Sequence, residues 1–416
     1  MDIEAGAAPE ARAVSRRRVF YIPGYDPIPP RRYRELYRTE SAAQAAISGY
    51  EIALSPGRGT ERFGWHVTAR MDGAEIETDV EVLVWSDIVR DSMGHSIPAT
   101  YLGLIRTAWT YIGTGALWRL MRLRKGPVIA ALYPVGFLLA QLALAVALGW
   151  GLGLLAARGL EAAGAGAAGP WAAAGLGVAV AIAVLRWFKA RDGRFFAYYL
   201  MHDYAFSARS RGANPPALET RIAAFAEAVA GALAQESDEV LVVGHSSGAH
   251  LAVSILSDLI RAGRVPAGGP ALSFLSLGQV VPMVSFLPRA ERLRRDLRYL
   301  SQRNELTWID VTAPGDGCAF ALCDPVAVSG VAPEDKRWPL VISAAFTQTL
   351  SPERWKALRW RFFRLHFQYL CAFDRVRDYD YFRITAGPLT LGARFAGRMP
   401  SRSRIEAAVS KYRSVA

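Results

Sequence analysis

The sequence predicts an α/β protein in which a mostly parallel sheet, flanked by helices, is interrupted by an inserted transmembrane helical hairpin. Short β-type runs alternate with helix-permissive segments on both sides of the middle of the chain, and such alternation is typical of parallel sheets. Between them, Pro127 to Ala157 contains no charged residue, and a helix of that length can cross a bilayer. A chain of 416 residues accommodates one such domain with its insertion.

Strand, helix, strand and strand are expected, in that order, before the apolar region. The run Arg18 to Ile22 predicts a short strand that ends in a turn at Pro23 and Gly24. The next three elements follow from composition and apolar periodicity. They are a charged helix, Arg31 to Ile47, and two strands, Phe63 to Arg70 and Glu81 to Trp85.

The apolar region predicts two membrane-crossing helices. The first is Pro127 to Ala157; a second uncharged stretch, Ala162 to Leu185, becomes strongly hydrophobic only from Trp171. Basic residues flank the hairpin on both sides, whereas the connecting loop has a single Arg, so both ends are expected to face the cytoplasm. The alternative is a helical pair buried inside a large core. The flanking basic residues are Arg119, Arg122, Arg124, Lys125, Arg186, Lys189, Arg191 and Arg194.

Tyr101 to Trp118 is either an interfacial helix lying along the membrane or an amphipathic core helix.

After the hairpin the α/β pattern returns. Helices are expected at Ala217 to Gln235, Ala249 to Ala262 and Pro352 to Leu370, and strands at Glu239 to Val243, Leu272 to Leu277, Leu306 to Val311 and Pro339 to Ala345. The predicted division is a flexible leader (1–17), the first part of the α/β domain (18–100), the membrane-associated insertion (101–194), the remainder of the domain (195–395) and a basic tail (396–416).

The chain has a formal net charge of +12, which suits either nucleic acid or an anionic membrane surface. The apolar hairpin favours the membrane, and the sequence lacks zinc-finger, recognition-helix and stacking-platform signatures, so nucleic acid is not an expected partner. Two basic runs with aromatic residues, Arg289 to Arg303 and Arg354 to Phe367, could rest on anionic head groups. They could equally be solvated helix faces.

Three cysteines, Cys318, Cys323 and Cys371, are too few for a disulfide framework and indicate a reducing compartment. The first 18 residues have no apolar core of the kind a secretory signal needs. The sheet-containing part is therefore expected in the cytosol. The oligomeric state does not follow from the sequence.

The strongest local signal is a buried β run, Glu239 to Val243, that leads into Gly244-His245-Ser246-Ser247-Gly248 and then into an apolar-periodic helix. A serine on a strand-to-helix turn needs small residues two positions before and after it, because neighbouring backbones approach closely there. Gly244 and Gly248 meet that requirement. The pattern resembles the α/β-hydrolase superfamily, particularly its lipases and esterases, and the resemblance implies an α/β-hydrolase type of fold with Ser246 as nucleophile.

In that superfamily the residues of the catalytic triad follow the order serine, acid, histidine, and the acid comes after a later strand. The resemblance therefore implies Asp316, in the loop after Leu306 to Val311, as the acid, with Asp310 and Asp324 as alternatives. His366 is the only histidine after these residues, and with Tyr369 it resembles the His-x-x-Tyr element of some lipases. A histidine packed on a helix face is the other interpretation of His366.

A serine hydrolase also needs two backbone N–H donors for the developing oxyanion. One would belong to Ser247 and the other to Tyr25, since Pro23-Gly24-Tyr25 follows the first strand and Gly24 permits a sharp turn. The residues differ here from the His-Gly forms of many lipases. A proline-glycine turn that merely closes the strand is the alternative.

No cofactor or metal is expected. Cys318, Cys323 and Asp324 lack a second pair of ligands with zinc spacing, and no phosphate loop or dinucleotide fingerprint occurs in the sequence. The apolar hairpin supplies a membrane anchor, and the resemblance implies a serine hydrolase. Together they lead us to expect an enzyme that cleaves esters of a lipid or another hydrophobic acyl substrate through an acyl-enzyme. The alternatives are an acyltransferase using the same serine and a non-catalytic membrane-anchored scaffold with the same fold.

Overall fold

The structure is a computed structural model that describes residues 13–57, 62–94 and 96–416. Residues 1–12 of the predicted leader lie outside the described residues. The chain divides into two units. The first takes its described residues from Met1–Arg90, Thr114–Pro127 and Ser210–Ala416, and the second from Asp91–Gly113 and Val128–Arg209.

A mixed eight-stranded sheet forms the centre of the first unit, in the order β2-β3-β4-β1-β5-β6-β7-β8. The strands are β1 Arg16–Ile22, β2 Glu51–Pro56, β3 Gly64–Met71, β4 Ala74–Val82, β5 Glu239–His245, β6 Ala271–Leu277, β7 Leu306–Thr312 and β8 Leu340–Ser343. Neighbours are parallel from β4 through β1 to β8. The pairs β2–β3 and β3–β4 are antiparallel. The predicted α/β class is confirmed, and the expectation of a mostly parallel sheet holds only away from the β2 edge.

Eighteen α-helices lie within the described residues. They are α1 Arg31–Ser48, α2 Ser86–Ser92, α3 Ile97–Gly113, α4 Ala116–Leu123, α5 Lys125–Ala162, α6 Gly169–Ala190, α7 Asp192–Phe195, α8 Ala197–Arg209, α9 Pro216–Leu233, α10 Gly248–Arg261, α11 Val281–Ser285, α12 Glu291–Leu300, α13 Pro325–Val328, α14 Phe346–Thr349, α15 Pro352–Leu358, α16 Phe362–His366, α17 Tyr381–Ala386 and α18 Leu391–Arg394.

Helices cover the central strands, which explains why those strands are continuously apolar. All seven residues of β5 are buried, as expected for a parallel strand with both faces covered. Helix α10 packs on β5 and α9, whereas α17 packs on β3 and β4. The main hydrophobic core combines sheet residues such as Val243 and Ile309 with aromatic side chains such as Tyr37, Tyr369 and Phe382.

The second unit contains the two long apolar helices. Helix α5 has 38 residues and α6 has 22, and both are long and apolar enough to cross a membrane. The helices start and end within a few residues of the predicted crossings, apart from the start of α6, which lies seven residues later. The small core of this unit consists of Leu104, Leu138, Ala197, Tyr198 and Met201.

Helices α5 and α6 approach each other through glycines. A Cβ atom added to Gly149 would lie 2.5 Å from the carbonyl oxygen of Gly177, and one added to Gly153 would lie 3.2 Å from that of Ala173. Small residues four apart on each helix therefore allow close backbone packing, which is common between membrane helices.

Four local expectations differ from the structure. The strand expected at Glu81 to Trp85 is instead β4, which starts seven residues earlier and ends at Val82. The segment Tyr101 to Trp118 is divided into α3 and α4, because Gly115 has a left-handed φ of 73°. The helix expected over Pro352 to Leu370 is instead α15, α16 and a 3-10 turn. Strand β2 has no predicted counterpart. Its residues are half-buried or exposed, and its large apolar residues are limited to Ile52 and Leu54, a pattern too short to predict a strand.

Candidate functional site

The turn after β5 holds Ser246 in a left-handed backbone conformation. Its φ is 56°, a region that non-glycine residues rarely occupy and that costs roughly 1–3 kcal/mol. Two hydrogen bonds hold the turn: Ser246 N donates to Leu277 O at 2.9 Å, and Ala249 N donates to Ser246 O at 3.1 Å. Ser246 is half-buried. Such a turn exposes a serine hydroxyl at the carboxyl end of a buried strand.

The two glycines of the motif are required by close backbone contacts. A Cβ atom on Gly244 would lie 2.7 Å from the Cα of Ala249, and one on Gly248 would lie 2.1 Å from Ile22 O. Real side chains do not tolerate either distance. The small residues around Ser246 therefore let α10 start beside the end of β1.

Asp316 and His366 form a buried hydrogen-bonded pair. His366 Nδ1 lies 2.7 Å from Asp316 Oδ2, and the hydroxyl of Tyr369 donates to the same oxygen at 3.0 Å. The other carboxylate oxygen accepts from Cys318 N at 2.8 Å. Asp316 lies in the loop after β7, and His366 is the last residue of α16. Two segments 50 residues apart thus place an acid and a base in direct contact.

The environment keeps Asp316 ionised. Burial raises the pKa of this carboxyl, but the charge and hydrogen bond of His366 lower it more, and hydrogen bonds from Cys318 and Tyr369 add to that effect. Its pKa therefore lies below the usual 3.8. An ionised carboxylate can only accept hydrogen bonds, so His366 Nδ1 carries the proton. An imidazole that carries its proton on Nδ1 has a lone pair on Nε2, as a general base requires.

Ser246 and His366 both lie beside the end of β6, at its last residue, Leu277, and at the next residue, Gly278. Leu277 O accepts the backbone hydrogen bond of Ser246, and a Cβ atom on Gly278 would lie 3.0 Å from His366 Cε1. Gly278 has a φ of 52°. Among the described residues, the Ser246 hydroxyl and His366 make no hydrogen bond with each other. In enzymes without substrate such contacts are often long, and they tighten when substrate binds.

The predicted oxyanion donors lie next to Ser246. A Cβ atom on Gly24 would be 3.0 Å from Ser246 Cβ, so the loop after β1 touches the serine side chain. Tyr25 N donates to Ser247 Oγ at 3.4 Å, and Trp85 Nε1 holds the loop through Pro23 O at 2.9 Å. The loop thus places a backbone N–H beside the start of α10.

The other two candidate acids have separate roles. Asp310 lies within β7 and accepts from Ser276 Oγ at 2.5 Å. Asp324 accepts from two backbone N–H groups at the start of α13 and pairs with Lys336 at 2.5 Å. Neither carboxylate contacts His366 among the contacts within the described chain.

His245 contacts the backbone of His366, an interaction that the sequence did not predict. Its Nε2 lies 3.0 Å from the backbone oxygen of His366, and the two rings lie 4.9 Å apart. Its Nδ1 is 3.4 Å from the hydroxyl of Tyr21. Burial, followed by the charge of His366, lowers the pKa of His245 to about 3. His245 is therefore a neutral group, and the backbone of His366 rests on it.

The group of possible metal-ligating atoms in the structure shares only Cys318 with the group considered in the sequence. Ligand atoms of Asp316, Cys318 and His366 lie within 4.8 Å of one another, whereas Cys323 is buried and donates to Ala321 O. A cation here would have to replace the hydrogen bond between Asp316 and His366. The donor set thus fits the acid–base pair without a metal.

Comparisons with protein-family models, with curated proteins and with solved structures each give no match. The resemblance to α/β-hydrolases consequently depends on residues alone: the motif from Gly244 to Gly248 and the order of Ser246, Asp316 and His366. The geometry adds the left-handed Ser246 turn and the paired acid and base.

Proposed function

We propose that the protein is a membrane-anchored serine hydrolase that cleaves ester bonds of a lipid or another hydrophobic acyl substrate through an acyl-enzyme. The observation that carries the proposal is the His366 to Asp316 hydrogen bond of 2.7 Å, formed at the edge of the sheet where the strained Ser246 turn lies. A serine needs a base, and the base needs an orienting acid. The α/β-hydrolase type of fold is part of the same proposal.

In the proposed reaction, His366 Nε2 takes the proton of Ser246 Oγ while the oxygen attacks the ester carbonyl carbon. The developing oxyanion accepts from Ser247 N–H and from Tyr25 N–H, which exchanges its long bond to Ser247 Oγ for the new acceptor. His366 then gives its proton to the leaving alkoxide as the carbon–oxygen bond breaks. Asp316 stabilises the imidazolium throughout.

The second half of the reaction returns the serine. A water molecule attacks the acyl carbon, and His366 takes the proton of this water. The bond between the acyl carbon and Ser246 Oγ breaks, Ser246 Oγ recovers a proton from His366, and the carboxylic acid leaves. One ester and one water thus give one acid and one alcohol.

Exposure of the long apolar helices supports the membrane anchor. In the most apolar 18-residue stretches of α5 and α6, only 28% and 17% of residues are buried. A core helix of a water-soluble protein would be mostly buried, and an apolar surface of this size in water favours aggregation. Both helices lie far from the N-terminus, where a signal sequence would stand. The bilayer is therefore the proposed partner of these helices.

A fluorophosphonate probe tests the enzyme directly, because it reacts with an activated serine. Full-length protein in detergent is treated with the probe, and the labelled residue is identified by mass spectrometry. We expect labelling of Ser246 in the wild type and none in Ser246→Ala. The matched control is Ser403→Ala, which removes an exposed serine and should be labelled like the wild type.

An acid variant tests the proposed role of Asp316. Asp316→Asn keeps the shape but favours the wrong imidazole tautomer, and a change of this kind slows turnover by roughly 10⁴-fold in a serine protease. We expect a loss of at least about a hundredfold in labelling rate and ester hydrolysis. Absence of labelling in folded wild-type protein would leave the scaffold alternative.

A further inference from the structure

A six-residue segment, Arg359–Arg364, runs from the end of α15 into α16 and is exposed along its whole length. It reads RWRFFR, so it consists of three basic and three aromatic residues and contains no acid. Trp360 is 73% exposed, Phe362 42% and Phe363 37%. Large aromatic side chains are seldom left this open at three neighbouring positions of a water-facing turn.

The three guanidinium groups of this segment are not neutralised by nearby carboxylates. Within the part of the chain that the structure describes, Arg359, Arg361 and Arg364 form no ion pair. Arg359 lies over the ring of Trp360 at 5.6 Å. Arg354, one helix earlier, pairs with Asp374 at 3.2 Å. The segment therefore presents three positive charges and three aromatic rings together.

This segment adjoins the candidate site. A Cβ atom on Gly317 would lie 3.0 Å from Phe362 Cδ1, so the Phe362 ring contacts the residue next to Asp316. His366 follows Arg364 by two residues. The first turn of α5 reaches the same point, because a Cβ atom on Gly126 would lie 3.4 Å from the Cα of Gly317. The aromatic segment and the start of the first apolar helix thus meet at one glycine of the acid loop.

We propose that Arg359–Arg364 binds the surface of an anionic lipid bilayer and brings the candidate site to ester substrates within it. Aromatic rings favour the interface between head groups and hydrocarbon, and each Arg is attracted to anionic head groups. The start of α5 beside Gly317 places the same loop where an apolar helix begins. The inference deepens the proposed function, and it names esters in an anionic bilayer as the substrate class.

The second basic run, Arg289 to Arg303, lacks this combination. Arg292 pairs with Asp258 at 2.6 Å, and Arg294 is fully buried, where it donates to backbone oxygens. Arg295 and Arg298 are exposed, but the run contains no Trp or Phe. This run has charge without an aromatic surface, so it provides a matched control.

Protection from trypsin tests the lipid contact without relying on activity. Full-length protein is reconstituted into phosphatidylcholine vesicles, with or without phosphatidylglycerol, and digested briefly from outside. Cleavage after Arg359, Arg361 and Arg364 is compared with cleavage after Arg375, an exposed residue of another loop. We expect the ratio of cleavage within Arg359–Arg364 to cleavage after Arg375 to fall on the order of tenfold in anionic vesicles and to recover in high salt. Equal ratios in the two kinds of vesicle overturn the proposal.

Activity provides a second measurement. The variant Arg359→Gln/Arg361→Gln/Arg364→Gln is compared with Arg289→Gln/Arg295→Gln/Arg298→Gln, which loses the same charge elsewhere. Rates are measured on an ester held in anionic vesicles and on a water-soluble short-chain ester. We expect the first variant to lower the ratio of the two rates on the order of tenfold, and the control triple to behave like the wild type. An unchanged ratio in the first variant, or an equal fall in the control, contradicts the inference.

The two proposals fail differently. If the protein is not a hydrolase, the wild type hydrolyses neither ester and the fluorophosphonate does not label Ser246, whereas selective protection of Arg359–Arg364 persists. If the lipid contact is wrong, labelling and hydrolysis persist while protection does not depend on anionic lipid.

Discussion

Two buried carboxyl groups near the end of β7 differ in charge, and this difference decides which of them can orient a histidine. Burial raises the pKa of Asp310 to about 8; the hydrogen bond from Ser276 opposes this rise and the charge of Asp324 adds to it. Asp316, six residues later, has a pKa below its usual value because His366 and three hydrogen bonds compensate for burial. Asp310 is therefore protonated at neutral pH, whereas Asp316 is ionised and can stabilise an imidazolium.

The free energy of unfolding of the Asp310→Asn variant should rise relative to that of the wild type as pH rises from 5 to 8. The folded-state pKa of Asp310 lies above its unfolded value, so between these two values only the folded state holds the proton. Wild-type stability then falls with pH, by up to about 1.4 kcal/mol per unit from this group. Asn cannot ionise, and its amide can replace Asp310 Oδ2, which has no hydrogen-bond partner. Thermal unfolding in detergent at pH 5, 6.5 and 8 measures the difference.

A constant difference between Asp310→Asn and the wild type over this pH range would mean that Asp310 does not change its charge there. Asp316→Asn supplies the contrast. Because the pKa of Asp316 is lowered on folding, its contribution to stability is present above the unfolded pKa and is lost only in acid. The difference in unfolding free energy between Asp316→Asn and the wild type should therefore not change between pH 5 and 8 through the ionisation of this carboxyl.

At the scale of single residues, the sequence was most informative where a local backbone rule applies. The glycines around Ser246 could be predicted because any strand-to-helix turn of this kind needs them. The Asp316 and His366 contact depended on a resemblance in chain order, since nothing local links residues 50 positions apart. The support of His366 by His245, and the close approach of Gly278, arise from the packing of β5 and β6 and have no local signal.

At the scale of elements, helices and strands with long apolar patterns were predicted more accurately than elements with polar sequences. Helices α9 and α10 end within two residues of the expected positions, because their apolar faces are periodic. Strand β2 was not predicted, because its pairing with β3, and not an apolar run of its own, makes it a strand. The break between α15 and α16 was also missed. It contains neither Pro nor Gly, and Arg361 takes a non-helical ψ of 67°, so tertiary packing rather than local propensity ends the helix.

The glycine contact between α5 and α6 leads to a prediction for the hairpin. Gly149→Leu should destabilise it by about 1–3 kcal/mol, the usual effect of overpacking, because Gly177 O lies 2.5 Å from a Cβ atom at this position. Gly151→Leu is the matched control, since a Cβ atom there meets nothing within 4 Å. Unfolding in SDS, followed by tryptophan fluorescence, measures the change. Equal midpoints for the two variants would argue against this packing.

At the scale of the whole molecule, chain order and sheet order differ in a way that the sequence could not indicate. Strand β1 lies between β4 and β5, although 216 residues separate it from β5 along the chain. This placement puts the loop with Gly24 and Tyr25 beside Ser246. The loops after β1, β5, β6 and β7 then lie at the same edge, since these strands are parallel and their carboxyl ends meet.

The charges on either side of the hairpin predict how the whole molecule lies in a membrane. Basic residues before α5 and at the end of α6 should remain in the cytoplasm, so the short loop between the helices is expected on the outer face. A membrane-impermeant maleimide added to intact cells should therefore label Ala165→Cys but not Ser403→Cys, and both should react after lysis. Both positions are exposed. Unmodified protein supplies the baseline, because Cys318, Cys323 and Cys371 lie in the sheet-containing unit. Labelling of Ser403→Cys alone in intact cells would place the candidate site outside the cytoplasm and contradict the orientation that the basic flanks predict.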